Sequence, residues 1–398
     1  MIKELCPEGV EMVKLSSLCT SICTGLNPRT NFKLNEDGAG LKYVTVKEIA
    51  TNKIVFSDST DKISNEAKAI INRRSRLEKG DILFSGIGTI GKVVYVDIET
   101  ENWDCSESVF LLKPNEYVYG KYLSYTLISK DVVSQYESCA AGAIMKGVRK
   151  ATLENLMIPL PPLSIQQEIV SVLDSFTTLI DKMKQEVEKR KKQMEYYREE
   201  LLSPKADYEV KTLGELGTFT RGNGLQKTDF TEEGYPCIHY GQIHTYYGTS
   251  TSSTKSFCDE DFAQKLRKAK TGDLLIATTS EDVEACCKAT VWLGEGEVAF
   301  SGDSYCYSHN QNPKYIAYLF QTEMFAKQKR MVAKGAKVVR VTGESMETFL
   351  FGFPSLDIQA EIVSTLDKFE SYISKLEKMI TLRQKQYEYY REKLLTFE

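Results

Sequence analysis

Phe84-Ser85-Gly86-Ile87-Gly88 spells F-x-G-x-G, the pattern with which DNA methyltransferases wrap S-adenosylmethionine. Short glycine patterns also recur as plain turns at strand ends. An adenine methyltransferase needs in addition an Asn/Asp-Pro-Pro-aromatic motif to hold the flipped base. The sole Pro-Pro of this chain is Pro161-Pro162, between Leu160 and Leu163, so the glycine segment reads as a strand end and turn. Glu66-Ala67-Lys68 with Asp58 upstream has the outline of a nuclease E-x-K and reads as a charged surface helix. His239, His244 and His309 have neither metal spacing nor a triad order. None of the 10 cysteines forms C-x-x-C, and Cys19 with Cys23 has no second pair nearby. Reduced thiols acting as small hydrophobes are expected, and zinc is not.

Basic and small polar residues in loops carry a different chemistry. In the first half these are Arg73, Arg74 and Arg76, then Thr89 with Lys92, then Lys146 with Arg149 and Lys150. In the second they are Arg221 with Asn223, the Thr278-Thr279-Ser280 turn, and Lys334 with Lys337 and Arg340. Arginine suits guanine edges and phosphates; lysine and threonine suit phosphates or single base acceptors. Each side chain taken singly reads equally as a solvated surface charge; as groups they are candidate DNA contacts. The chain as a whole is not basic, with 51 Lys+Arg against 55 Asp+Glu. That excludes general coating of nucleic acid and leaves room for local basic patches.

The elements that must position these clusters are two long helices. Ile165-Gln166-Gln167-Glu168-Ile169-Val170-Ser171 returns as Ile358-Gln359-Ala360-Glu361-Ile362-Val363-Ser364, and Glu195-Tyr196-Tyr197-Arg198-Glu199 returns as Glu388-Tyr389-Tyr390-Arg391-Glu392. One gapless offset of 193 residues relates them, the mark of an internal duplication. Ile169, Leu173, Phe176, Ile180, Met183 and Val187 trace a heptad seam in the first copy. Ile362, Leu366, Phe369, Ile373, Leu376 and Ile380 trace it in the second. Arg190 and Arg383 occupy one seam position, where they either fix register or snorkel to the edge. Each helix would run about 57 Å, and two such stripes most simply bury each other, antiparallel. Ser164 with Gln167 reads as a capping box for the first helix, and Asp357 as the cap of the second.

Each helix follows a globular segment. Leu41–Val46, Asp81–Phe84, Lys92–Val96 and Ser108–Leu112 read as strands and Lys121–Tyr136 as one amphipathic helix. Looser echoes follow in the second half: Gly80-Asp81-Ile82-Leu83 with Gly272-Asp273-Leu274-Leu275, Lys121-Tyr122 with Lys314-Tyr315, and Gly142-Ala143 with Gly335-Ala336. The domains expected are 1–163, a spacer helix at 164–203, 204–355, and a second spacer helix at 356–398. The fold expected is α+β: two similar mixed α/β domains, two antiparallel coiled-coil helices and an internal pseudo-twofold. The Ile2–Leu5 arm would then lie near the end of the second helix. No apolar run reaches membrane-spanning length and no signal peptide is read, so a cytoplasmic location is expected.

These features together resemble the specificity subunit of type I restriction-modification systems. The carriers are Ile158-Pro159-Leu160-Pro161-Pro162-Leu163 opening the first helix and Tyr196-Tyr197-Arg198-Glu199 closing it, with the duplication and Gly80-Asp81-Ile82-Leu83…Gly88-Thr89-Ile90-Gly91-Lys92. The second half departs from the pattern, with Phe353-Pro354-Ser355-Leu356 for the proline-rich lead-in and Thr278-Thr279-Ser280-Glu281 for the glycine loop. The resemblance implies two target-recognition domains reading the halves of a split double-stranded DNA site, with the helices setting the gap. It implies no catalysis and no cofactor on this chain. Its partners would be two adenine-N6 methyltransferase subunits and restriction (translocase/nuclease) subunits, with S-adenosylmethionine, ATP and magnesium bound by those partners. A target-recognition subunit of a combined restriction-methylation enzyme is a related alternative. A single-chain methyltransferase lacks its base-holding motif, and a coiled-coil protein that never touches DNA leaves two diverged globules without a role. Purified alone with S-adenosylmethionine and DNA, the chain is expected to transfer no methyl group; methylation by a partner-free preparation would sink the adaptor reading.

Overall fold

The computed structural model describes residues 9–50, 52–140, 147–335 and 337–397. The Ile2–Leu5 arm, Gly142-Ala143, Lys146 and Ala336 lie outside them. The chain divides into two compact units, Met1–Lys184 with Lys378–Glu398, and Gln185–Glu377. Each unit therefore holds one globule and half of each long helix.

In the first unit a four-stranded antiparallel sheet has the order Cys19–Thr24, Val109–Pro114, Ile82–Ser85, Val93–Tyr95. A second small sheet joins Leu41–Val44 antiparallel to Lys62–Ile63 and parallel to Trp103–Cys105. Glu11–Lys14 pairs with Met157–Leu160, so the two ends of the globule close on each other. The second unit repeats this plan. Its sheet order is Gly217–Arg221, Ser304–His309, Leu274–Ala277, Lys288–Trp292, with Ser250–Thr251 added at the edge. Its closing pair is Glu209–Thr212 with Leu350–Phe353.

The long helices run Leu163–Leu201 and Leu356–Leu395. The capping-box expectation is corrected: Ser164 and Asp357 both lie inside the first turn. The carbonyl of Pro162 accepts from the N–H groups of Ile165 and Gln166, and that of Ser355 from Gln359, so each helix starts earlier. The glutamine in that first turn has a duty that helix periodicity does not announce. Gln166 is fully buried, donates to Pro161 O at 2.8 Å and accepts from Tyr119 N–H at 2.7 Å. Gln359 repeats both contacts with Pro354 O and Asn312 N–H.

Within each unit the helix halves run antiparallel. Phe176 stacks on Tyr390 in the first, and Tyr197 on Phe369 in the second, with ring centroids 5.5 Å apart in both. Of the seam positions, Ile169, Leu173, Ile180, Val187, Ile362, Leu366 and Ile373 are buried, and Phe176, Met183, Phe369, Leu376 and Ile380 are half-buried. In the first unit Ile165, Ile169, Leu173, Ile180, Tyr387, Leu394 and Leu395 join Phe84, Leu112 and Tyr122 in one apolar core. Arg190 sits at the seam edge, bonded to Glu186 at 2.6 Å on its own helix and lying over the Tyr372 ring. Arg383 likewise bonds Gln386 along its own helix.

The expected single helix over Lys121–Tyr136 is two, Gly120–Thr126 and Lys130–Ala140. The break has a tertiary cause. Ser129 Oγ turns back onto Thr126 O, and the freed Lys130 N–H is taken by the Glu392 carboxylate at 3.1 Å. An anionic side chain at a helix N-terminus satisfies an orphan donor and opposes the helix dipole. The second unit does the same at Glu323, whose N–H donates to Glu199 at 2.9 Å.

One buried group gives a stability prediction. Asp104 is wholly enclosed; its Oδ1 accepts from Cys105 N–H at 2.8 Å and its Oδ2 has no partner. Burial pushes its carboxyl up to about 7, against the pull of Lys68. Folded protein then keeps a proton that unfolded chain has released, so stability falls as pH rises from roughly 4 towards 7. Asp104→Asn is expected to be about 4 kcal/mol more stable than the parent at pH 8 and nearly equal at pH 4. Urea unfolding at the two pH values decides this; a gain of the same size at both would refute it.

Candidate nucleic-acid interface

The strand registers bring the predicted clusters to one end of each central sheet. In the first unit Thr24, Phe110 and Phe84 form one row across it. Ser85 follows and opens the glycine turn. Its Oγ donates to Thr89 O at 2.7 Å and accepts from Lys92 N–H at 2.8 Å, so the side chain ties the turn closed. Gly91 has φ +80°, and a Cβ there would meet the Tyr136 hydroxyl at 2.4 Å, so both backbone and space demand glycine. The F-x-G-x-G segment is thus a strand end and turn, packed on its own helix. Thr89 is exposed at the tip, while Lys92 donates its ammonium to Val46 O at 2.9 Å.

An isolated bridge, Ile87 with Gly147, and Val148 N–H on Gly86 O at 2.8 Å lay the next segment against this turn. Exposed Arg149 and Lys150 follow directly, Lys150 lying 3.5 Å from Glu154. Arg74 reaches the same end of the sheet, donating to Thr24 Oγ1 at 3.2 Å. Arg73 and Arg76 are exposed beside it, Arg76 lying 3.5 Å from Glu78.

The second unit builds the same junction from different residues. Arg221, Tyr305 and Ile276 form the corresponding row. Thr279-Ser280 pairs antiparallel with Val339-Arg340, and Lys334 and Arg340 exchange both backbone hydrogen bonds. The structure therefore joins two clusters that the sequence had only set side by side. Gly335, with φ +119° and Val338 O at 2.0 Å from a built Cβ, permits the tight hairpin. Lys334, Lys337 and Arg340 are exposed upon it. Thr278 and Thr279 are buried and turn their hydroxyls to Asp303, which makes them supports of the junction; Ser280 is half-exposed. Asn223 is also a support, bonded to Lys265 O at 2.9 Å and to Arg267 N–H at 2.7 Å.

Those bonds reveal residues that sequence reasoning missed. Exposed Lys265 and Arg267 stand beside Arg221, and the Arg267 guanidinium donates to Arg221 O. The basic run Lys265-Leu266-Arg267-Lys268 was the available signal. His244 places Nε2 3.0 Å from Thr279 O, and its ring meets Tyr240 edge-on. His309 is half-buried, and burial holds its imidazole down to about 4. Among the described residues no group of three or more His, Cys, Asp or Glu side chains is placed to hold a metal ion. No helix among them is long and apolar enough to cross a membrane.

Each of the two similar α/β globules carries exposed basic side chains at a junction on one end of its central sheet. The sequence matches the family described as "Type I restriction modification DNA specificity domain" twice, over residues 7–189 and 205–384. The chain belongs to this family of specificity subunits, which give type I restriction-modification complexes their DNA sequence specificity. It is 32% identical over 269 residues to a putative type I restriction enzyme specificity subunit of Haemophilus influenzae, covering 65% of this chain and 68% of that one. It is 28% identical over 341 residues to the EcoR124I/EcoR124II specificity subunit of Escherichia coli, covering 79% and 80%. Its fold is similar to a chain solved in work on assembly and conformational transition of the type I R-M system (TM-score 0.62, 14% identity, 98% of each chain). It is also similar to the S subunit from M. genitalium (TM-score 0.55, 15% identity, 98% and 97%).

Supports and candidate DNA contacts should separate by experiment. Lys337→Ala and Arg340→Ala are each expected to weaken DNA binding. Each should also reduce the slope of log affinity against log salt by about one for every phosphate no longer neutralised. Asn223→Ala is expected instead to lower the unfolding temperature. Anisotropy titrations over a salt series read the first effect; an unchanged salt slope in both charge variants would remove the hairpin from the interface.

Proposed function

We propose that residues 1–163 and 204–355 are two target-recognition domains, each reading one half of a bipartite, asymmetric double-stranded DNA site. Residues 164–203 and 356–398 are the spacers that set the gap between the halves. One observation carries this reading: both globules lay the turn after a central strand against the segment that precedes the closing strand, at the same sheet end. The frame repeats while the residues on it differ, as Thr89, Arg149 and Lys150 on one and Ser280, Lys334, Lys337 and Arg340 on the other illustrate. Unlike side chains on like frames suit unlike half-sites.

In this reading Arg73, Arg74, Arg76 and Arg221 add phosphate or guanine contacts at the rim, and Lys92, Asn223, Thr278 and Thr279 hold the backbone that presents them. The chain docks two adenine-N6 methyltransferase subunits and, through them, the restriction subunits that translocate and cut. S-adenosylmethionine, ATP and magnesium are held by those partners, and the complex works in the cytoplasm. The test is to exchange residues 204–355 for the second domain of another specificity subunit and to map methylated adenines across a genome. One half-site is expected to change while the other half-site and the gap persist. A change in both halves at once would end the two-reader model.

A further inference from the structure

The ten-residue loop from Thr278 to Cys287 connects two central strands of the second unit. It begins with the Thr278-Thr279-Ser280 turn and ends with two adjacent cysteines. The first unit has no cysteine in its corresponding turn, Gly86 to Lys92. The Sγ atoms of Cys286 and Cys287 lie 3.9 Å apart, both thiols free. Cys287 has φ +64°, in the left-handed region that non-glycine residues rarely occupy. Such outliers persist where the surroundings enforce them, and they gather at functional positions.

A set of hydrogen bonds ties this pair to the candidate interface. The Cys286 thiol donates to Thr278 O at 3.2 Å, and Val341 N–H donates to the same oxygen at 3.2 Å. Cys287 N–H closes the loop on Ala277 O at 2.8 Å. Lys329 is 5% exposed, and its ammonium donates to the carbonyls of Glu284 at 2.8 Å and Cys286 at 3.0 Å. Its helix, Glu323–Val332, leads into the Lys334–Arg340 hairpin. The pair thus stands at the root of both segments that meet in the junction. It also lines a cleft of about 640 Å³ within this unit, with Arg198, Glu199, Thr249 and Lys288.

The two thiols are not equivalent. The hydrogen bond from Cys287 and the Lys329 ammonium hold the Cys286 thiol below the usual range, although burial opposes them. The Cys287 thiol is held above it by Cys286 and by burial. A thiolate stabilised beside a cation is the nucleophile in thiol chemistry, and a neighbouring thiol resolves the product.

We propose that Cys286 and Cys287 form a vicinal dithiol that a hydroperoxide oxidises to an intrachain disulfide, resetting the loop that carries Thr278-Thr279-Ser280. In the first step Cys286 thiolate attacks one peroxide oxygen. The O–O bond breaks, an S–O bond forms, and the other oxygen leaves as alkoxide or hydroxide and is protonated. In the second step Cys287 thiolate attacks the resulting sulfenic sulfur, the S–O bond breaks, and hydroxide leaves as water. Two thiols and one hydroperoxide give one disulfide, one water and one alcohol, or two waters from hydrogen peroxide. The sulfurs must close from 3.9 Å to about 2.05 Å. Closure removes the S–H donor from Thr278 O and strains the turn that Cys287 already holds at positive φ. The effect on DNA rests on the reading of this junction as an interface; the disulfide does not.

The full chain is treated with hydrogen peroxide, blocked with N-ethylmaleimide and cut with trypsin. Peptide 271–288 contains no other cysteine. It is expected to be two hydrogens lighter, to resist alkylation and to recover after dithiothreitol. Cys287→Ser should halt at a Cys286 sulfenic acid trapped by dimedone, and Cys286→Ser should leave Cys287 unoxidised. A peptide that stays doubly alkylable while Cys19 or Cys23 oxidises overturns the proposal, as does equal reactivity of Cys287 in Cys286→Ser. A second arm titrates a duplex bearing the mapped site. Oxidation is expected to weaken binding about tenfold, reversibly, and not in Cys286→Ser. A disulfide that forms while binding is unchanged overturns the coupling. A reduced chain that binds target and scrambled duplex alike contradicts the interface reading, while the peptide result still decides the disulfide.

Discussion

One carboxylate per unit governs how a globule meets its helix. Asp174 accepts from the Lys121 ammonium at 2.6 Å and from the Tyr125 hydroxyl at 2.7 Å. Asp367 accepts from Lys314 and Tyr318, each at 2.7 Å. The lysines are partly exposed, so the Coulombic part of each clamp is modest. Its value is geometric: two donors one helical turn apart converge on one acceptor, which fixes rotation as well as distance. The buried glutamines, Gln166 and Gln359, add a second fixed point at the helix start, and Glu392 and Glu199 a third from the other long helix of the same unit. Three points define a plane, and a loop of exposed arginines or lysines is useful for reading DNA only when the frame behind it cannot turn.

Against that shared frame the two globules have diverged in how they support their junctions. The first uses a glycine turn tied by Ser85 and a bridge of single residues. The second uses a true two-stranded pairing, an extra edge strand at Ser250–Thr251, and buried threonines turned toward Asp303. The closing bonds to the helices differ as well. Asn52 donates to Tyr387 in the first unit, whereas Thr249, Gln321 and Glu370 form a chain of hydrogen bonds in the second. Loops are free to change where the elements behind them are over-determined.

The long helices and the duplication were plain in the sequence because a heptad stripe and a constant offset are one-dimensional signals. Strand interiors such as Ile82–Ser85 and Val109–Pro114 were legible from their apolar runs for the same reason. What stayed hidden depends on contacts between distant residues. The break after Thr126 is made by Glu392, more than 260 residues away, and no local propensity announces it. The duties of Lys92 and Asn223 are set by carbonyls and amides of remote strands, so their composition alone marked them as surface contacts. Arg267 was overlooked because its run lies in no glycine or threonine turn, yet Asn223 fastens it to Arg221's strand.

The compact units do not follow the order of the repeats. The first includes residues up to 184 and resumes only at 378, with Tyr387, Leu394 and Leu395 buried in its core. A ribosome making this chain therefore delivers the first globule long before the helix segment that completes it. The second unit, continuous from Gln185 to Glu377, has all its parts in hand earlier. The half emerging first must wait, with the apolar face of Ile169, Leu173 and Ile180 uncovered, for the half emerging last. During synthesis that face is a site for chaperone capture or for premature pairing with a neighbouring nascent chain.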